Sequence, residues 1–235
     1  LTTNDIVNIT ESTSVAVKTI NSGTAATTLA AGANITDFND DATVNITATD
    51  LKITAGDDIG ATANGRIDTD VDTLEADTTN ANGDIFILEN DAVSLDNDVV
   101  AGVGGLIEIT SGGLMTVNSA VTATGTGTID LIAAGITVND GNDVSSATGT
   151  ITLNAGANTI QLNDSGADQS RIVTTNADIV MTSDDLVIQA NDPAAQIVTG
   201  TNNNVTINES TDGRTLGLGA GAGDFSINNA EIAEF

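Results

Sequence analysis

Gly83, Gly105, Gly127 and Gly149 stand 22 residues apart, and the same motif follows each of them. One residue intervenes, and then two aliphatic residues flank a variable one: Ile85/Ile87, Ile107/Ile109, Ile129/Leu131 and Ile151/Leu153. The residues between are Phe86, Glu108, Asp130 and Thr152. Alternation of period two is the signature of a strand with one buried face. A second set follows within the same repeat: Val93/Leu95, Met115/Val117, Ile136/Val138 and Ile160/Leu162. A third, weaker set is Val99/Ala101, Val121/Ala123 and Val144/Ser146. Three short strands separated by Gly, Asn and Asp make one triangular coil.

A coil of this size cannot bury its inner face alone. Stacking equivalent coils about 4.8 Å apart does so. The sequence therefore predicts an all-β fold: a single-stranded, right-handed parallel β-helix with three short strands per coil. About ten coils of ~22 residues would give a rod roughly 45–50 Å long at that spacing. First-strand positions are expected at 44, 67, 85, 107, 129, 151, 179 and 205. The whole chain, 1–235, reads as one solenoid: irregular first coils over 1–43, regular coils over 44–162, and coils with longer turns over 163–235. Turn insertions are expected at 163–178 and 189–204. The rival all-β reading, a sandwich, predicts hairpins and uneven spacing. It does not predict repeated steps of 22. Helix propensity is low throughout; only Asn228–Phe235 carries a helical pattern. Asp96, Asn118, Asn139 and Asn163 each directly follow a second strand. Such residues suit tight turns, and stacked amides can bond into a ladder.

Composition bears on function chiefly by exclusion. The chain has no Cys, His, Trp or Tyr, and its 33 acidic against 5 basic residues give a net charge of −28. There is no disulfide framework, no thiolate or imidazole chemistry, and no Cys- or His-type metal site. Nucleic acid and anionic membranes would be repelled. No apolar run approaches the length of a membrane span. The ordered recurrence of β-branched residues argues against disorder despite the charge. The start at Leu1, with no signal-peptide pattern, reads as a processed product or an excerpt.

The segments NGDIFILENDAVSLDNDVVAG, GTIDLIAAGITVND and GTITLNAGANTIQLN resemble the parallel β-helical repeats of filamentous-haemagglutinin-like adhesins and other very large secreted bacterial surface proteins. The C-terminal TLGLGAGAGDFSINNAEIAEF is similar to a recurrent element of such proteins: a Gly-rich link, a strand and a short acidic segment. The resemblance spans about four fifths of the chain. It implies secretion, a long rod, and roles in adhesion or matrix. It carries over no catalytic residue. The expected function is a structural repeat unit of an extracellular bacterial fibre or surface stalk, joined head to tail to copies of itself or to adjacent repeats. The alternative is an adhesin segment that binds a glycan or surface protein on one solenoid face.

No catalytic, cofactor-binding or metal residues are assigned. The acidic clusters Asp37–Asp41, Asp57-Asp58, Asn139–Asp143 and Asp184-Asp185 could at most screen weakly with surface calcium. None has EF-hand or β-roll spacing. Lys18, Lys52, Arg66, Arg171 and Arg214 are scattered, which argues against a polysaccharide-cleaving centre and for pairing with nearby carboxylates. Thr116 and Thr137 would stack, but beside Ser94 and Gln161, so no threonine array of the ice-binding kind forms. Sequons at Asn8, Asn34, Asn45, Asn163, Asn204 and Asn208 are expected by chance in so Asn- and Thr-rich a chain. Neither terminus reads as an amphipathic capping helix, and NNVTINES near the end echoes NDIVNITES near the start.

Overall fold

The structure, a computed structural model, describes residues 1–166, 168–189, 196–219, 221 and 223–235. It is a parallel β-solenoid of about nine turns. Among the described residues every strand-to-strand register is parallel, and the one antiparallel contact is an isolated bridge between Asp164 and Gln169. Hairpins of a sandwich are therefore absent among the described residues.

Three faces recur in chain order. Face A begins at Val7–Glu11 and climbs through Thr27–Ala31, 51–55 and 74–78 to Val99–Ala101, Val121–Ala123, Asp143–Ser146, Arg171–Thr174 and Ile197–Val198. Face B runs from Val15–Val17 and Ile35–Asp37 through Ile59 to Ile85–Glu89, Ile107–Ser111, Ile129–Ile132, Ile151–Asn154, Ile179–Ser183 and Val205–Glu209. Face C holds Ile20–Asn21, 46–50, 69–73, Val93–Leu95, Met115–Val117, Ile136–Val138, Thr159–Leu162 and Asp185–Ile188.

Period two sets which side chains enter. Ile85, Ile107, Ile151 and Ile179 stack in register on face B at zero exposure, with Ile129 between them at 1%. Neighbouring columns of Ile87, Ile109, Leu131, Leu153 and Met181 complete a dry aliphatic interior. Like side chains over like in consecutive layers let β-branched residues interlock at interior density.

Two expectations need correction. The upstream register differs: Ile59, not Ile67, lies beneath Ile85, and Ile35 lies beneath Ile59. Ile46 pairs with Thr69 on face C, and Ile67 pairs with Ile87. The segment 60–66, with the short 3-10 turn Ala63–Gly65, lies between Ile59 and Ile67, which pair with Ile85 and Ile87 of the same face B strand. The irregular segment 1–43 nonetheless forms true coils, because Val7, Val17, Ile20, Leu29 and Ile35 are all buried. The second correction concerns the C-terminal end, which does carry a cap. Helix Asn229–Ile232 starts with a capping box, in which Asn228 accepts from Ala230 N and Glu231 N while Glu231 accepts from Asn228 N. Each box of this type satisfies helix-terminal donors that would otherwise be orphaned. Phe225 and Ile227 are buried, and the helix segment bonds the edges of the last strands through Ile188 N–H to Glu231 Oε1 (3.3 Å) and Ile197 N–H to the Glu234 carbonyl (2.9 Å).

The predicted insertion at 163–178 is present as a loop before Arg171–Thr174. That at 189–204 falls partly on 190–195, which lie outside the described residues. Among the described residues no helix is long and apolar enough to cross a membrane.

Candidate functional site

The polar residues of this chain sit at the corners of the solenoid. The expected amide ladder forms at the corner after face C. Asn118 Nδ2 donates to Asp96 Oδ1 (2.7 Å), Asn139 Nδ2 to Asn118 Oδ1, and Asn163 Nδ2 to Asn139 Oδ1 (2.7 Å). Each amide donates toward the N-terminal coil, so the first rung must be an acceptor only. Asp96 fills that place; hydrogen bonds from Ser94 and Asn118 hold its carboxyl below the usual carboxylate range. At the other end Gln161 Nε2 donates to Asn163 Oδ1 (2.6 Å). Asn118→Ala would remove a rung in the middle. We expect a loss of about 1–2 kcal/mol, read as a lower denaturation midpoint with an unchanged m-value.

A second set of inter-coil contacts uses side chains just before face B. Asn34 Oδ1 accepts from Asp58 N (3.0 Å), Asp58 Oδ1 from Asp84 N (2.9 Å) and Asp84 Oδ1 from Leu106 N (2.7 Å). The carboxylate of one coil thus satisfies a backbone donor of the next.

The four acidic clusters found in the sequence are separate corners, and each is engaged in local bonding. Asp37 accepts from Asn39 N, Asp41 N and the Asn45 side chain. Burial opposes its charge, but these bonds outweigh burial and lower its pKa. Nearby Asp68, 5% exposed, is pushed up to about 6 by burial and then by the charges of Asp37 and Asp41. Asp57 accepts from Asn80 Nδ2 (2.9 Å), and Asp184 accepts from Thr211 and Arg214. In the 139–143 corner, Asp143 receives both Nε (3.1 Å) and NH2 (2.7 Å) of Arg171, and Asp140 accepts from Ser165. Gly141, Asp143, Asp168, Gln169 and Arg171 frame a polar pocket of about 300 Å³ there.

Four of the five cations pair with carboxylates: Lys52–Glu75, Arg66–Glu108, Arg171–Asp143 and Arg214–Asp184. Lys18 instead lies over the Phe38 ring, 5.9 Å from its centroid. Lys52 and Arg171 sit in register with their partners on adjacent coils. Such exposed pairs contribute little individually, but they replace like-charge contacts between layers. Thr116 and Thr137 stack in register between Ser94 and Gln161, so the run of threonines stops after two rungs. Among the sequon asparagines, Asn45 is buried and Asn163 is engaged in the ladder.

One group escaped the sequence reading. Oxygens of Asp70, Glu89 and Asp91 all lie within 4.8 Å of one another, close enough to ligate one cation. Glu89 has zero exposure and accepts from Thr69 Oγ1 (2.6 Å), Val71 N and Asp91 N. Burial pushes its carboxyl up to about 7. The signal was present: the alternation Ile85, Ile87, Glu89 places the carboxylate on the inward side.

Compared with family models, curated proteins and solved structures, the chain matches none.

Proposed function

We propose that this chain is a structural repeat unit of an extracellular bacterial fibre or surface stalk, joined end to end with copies of itself or with further repeats. The observation that supports this most directly is where burial is incomplete. Four aliphatic residues pack on the core yet remain partly exposed: Ile9, Val15, Val205 and Ile207. All four lie on the first or last coils. Leu1 and Ile6 at one end, and Val198, Leu216, Leu218, Ile232 and Phe235 toward the other, are exposed large apolar side chains. The flanks between expose Phe38, Val103 and Leu114 but are otherwise rich in acidic and hydroxyl residues, and the charge of −28 opposes sideways association. The filamentous-haemagglutinin-like sequence pattern agrees with this role. No catalytic role is assigned, because the carboxylates serve turns and inter-coil bonds.

Solution scattering over a concentration series tests the reading. Particles should lengthen in steps of one rod at constant cross-section, and more readily as salt screens the charge. A compact monomer at every concentration would count against it. A second reading, glycan or protein binding on a solenoid face, draws on the polar pocket where the 163–170 loop meets the 140–143 corner. It predicts that deleting that loop abolishes binding to a glycan array while leaving the rod folded.

A further inference from the structure

We propose that Asn64 is a site of spontaneous backbone modification, where ring closure onto Gly65 converts the amide into aspartate and isoaspartate, while the identical tripeptide around Asn82 is protected by the stack. This rests on local geometry and is independent of the fibre reading. Asn-Gly occurs twice in the chain, each time after alanine: Ala63-Asn64-Gly65 and Ala81-Asn82-Gly83. A glycine after asparagine leaves its amide nitrogen open to the side chain, because no Cβ stands in the way. The two tripeptides are therefore alike in intrinsic reactivity, and the fold decides between them. Both asparagines are exposed, so access of water does not separate them.

In the reaction the Gly65 nitrogen gives up its proton and attacks Asn64 Cγ. A bond forms between them, the Cγ–Nδ2 bond breaks, and Nδ2 departs as ammonia with that proton. Water then opens the five-membered ring. Cleavage of the new bond leaves aspartate. Cleavage of the original peptide bond leaves isoaspartate, with one extra methylene in the main chain. Either product adds a negative charge. The step needs a peptide free to turn about the asparagine and room for a longer main chain.

Segment 60–66 offers both. Its turn is closed on itself: Ala61 N–H donates to Gly65 O (2.7 Å), Gly65 N–H to Thr62 O (3.3 Å) and Arg66 NH1 to Ala63 O (3.2 Å). Among the described residues, no strand pairs with 61–66. A Cβ on Gly65 would meet only side-chain atoms, Ala61 Cβ at 3.0 Å and Asp40 Oδ1 at 3.3 Å. No backbone of a neighbouring coil holds this peptide in place.

The second tripeptide is clamped. Its glycine N–H is bonded as weakly, to Asn80 O at 3.3 Å, but the rest of the peptide is tied across layers. Asn82 N–H donates to Val103 O (2.8 Å), and Gly83 O accepts from Thr78 Oγ1 (2.8 Å). A Cβ on Gly83 would lie 2.7 Å from Asp57 O, and one on Gly105 would lie 2.1 Å from Gly83 O. The Asn82 side chain rests against Gly104, whose Cβ would meet Asn82 Oδ1 at 2.8 Å. Each coil is fixed by the coils on either side, so an added methylene here would have to part them.

The test is incubation of the full chain at mildly alkaline pH, folded and in parallel in concentrated urea. Peptide mapping that resolves asparagine, aspartate and isoaspartate follows both positions. In urea the two should convert at similar rates. In the folded chain Asn64 should convert to both products, and Asn82 should lag by about tenfold or more, because its reaction waits on opening of the stack. Gly65→Ala should slow conversion at Asn64 in either state, since the route runs through the Gly65 nitrogen. Direct hydrolysis of the amide would be indifferent to that change. The proposal is overturned if Asn82 converts as fast as Asn64 in the folded chain. It is equally overturned if Asn64 keeps its amide there while the unfolded chain loses it, or if Gly65→Ala reacts at the native rate.

Discussion

Gly149→Ala is expected to disrupt the central coils and to cost upwards of about 4 kcal/mol, a loss seen only when a packed interior has no way to relax. A Cβ on Gly149 would lie 1.8 Å from the Gly127 carbonyl oxygen and 2.4 Å from its carbon. Gly127 stands in the same relation to Gly105 (2.3 Å), and Gly105 to Gly83 (2.1 Å). The atoms in the way are backbone, so no rotamer change makes room. The coil must lift by more than an ångström, which breaks the ladder of the adjoining strand. Ser146 ties this corner from both sides, donating to Gly127 O (2.6 Å) and accepting from Gly149 N (2.9 Å). Gly156→Ala is the control. Its φ is +54°, but a Cβ there would meet nothing within 4 Å. Only the left-handed backbone penalty, about 1–2 kcal/mol, applies. Denaturant unfolding of both variants checks the difference. Because each layer contacts only its neighbours, hydrogen exchange in the Gly149 variant should quicken first in the coils around 127–151. Equal destabilisation by the two alanines would mean that the 22-residue glycine column is not set by close approach.

That column is also why the central fold was legible from the sequence. A glycine required by a neighbour's carbonyl recurs at the coil length, and the inward positions repeat with it. Where the coil length varied, the reading slipped. Residues 60–66 interrupt the face between Ile59 and Ile67, and the pattern alone cannot show that both pair with one strand, Ile59 with Ile85 and Ile67 with Ile87. The structure decides by register, with Ile59 bridging Ile35 and Ile85. The sequence shows a helical pattern over Asn228–Phe235 but not that it caps the rod, although Asn228 and Glu231 spell a capping box. Four residues of helix are too few to define an apolar docking face. The Asp70–Glu89–Asp91 group was hidden for another reason. Its members come from consecutive coils, and only the stacking register brings Glu89 beside Thr69. The amide ladder shares that dependence, yet it was foreseen because its residues occupy one repeating position.

The native solenoid should be more stable near pH 5 than at pH 8, with Glu89 as a principal cause. Its carboxyl is raised from 4.5 to about 7, burial being the main reason and the charge of Asp91 adding to it. A raised folded-state pKa means that the folded chain holds a proton the unfolded chain has released between about pH 4.5 and 7. The ionised form is therefore a burden on the fold above pH 7, and that burden lifts as pH falls toward 4.5. The span corresponds to about 3 kcal/mol. Asp68, raised from 3.8 to about 6, acts with the same sign. Asp37, Asp96, Asp184 and Asp224 act oppositely. Their lowered values give stability that persists above the unfolded carboxylate range and is lost as pH falls through it. A maximum between the two regimes follows. Relief of self-repulsion from the −28 charge would also favour acid. Glu89→Gln separates the two causes, since it keeps the shape and removes the titration. At pH 8 the variant should be more stable than the native chain by about 2 kcal/mol, and near pH 4.5 the two should converge. One acceptor for Thr69 and Val71 is exchanged for an amide donor, which makes the gain smaller than the full span. Urea midpoints measured from pH 4.5 to 8 decide it. If both proteins follow the same pH slope, the acid stabilisation belongs to the overall charge and Glu89 is not its source.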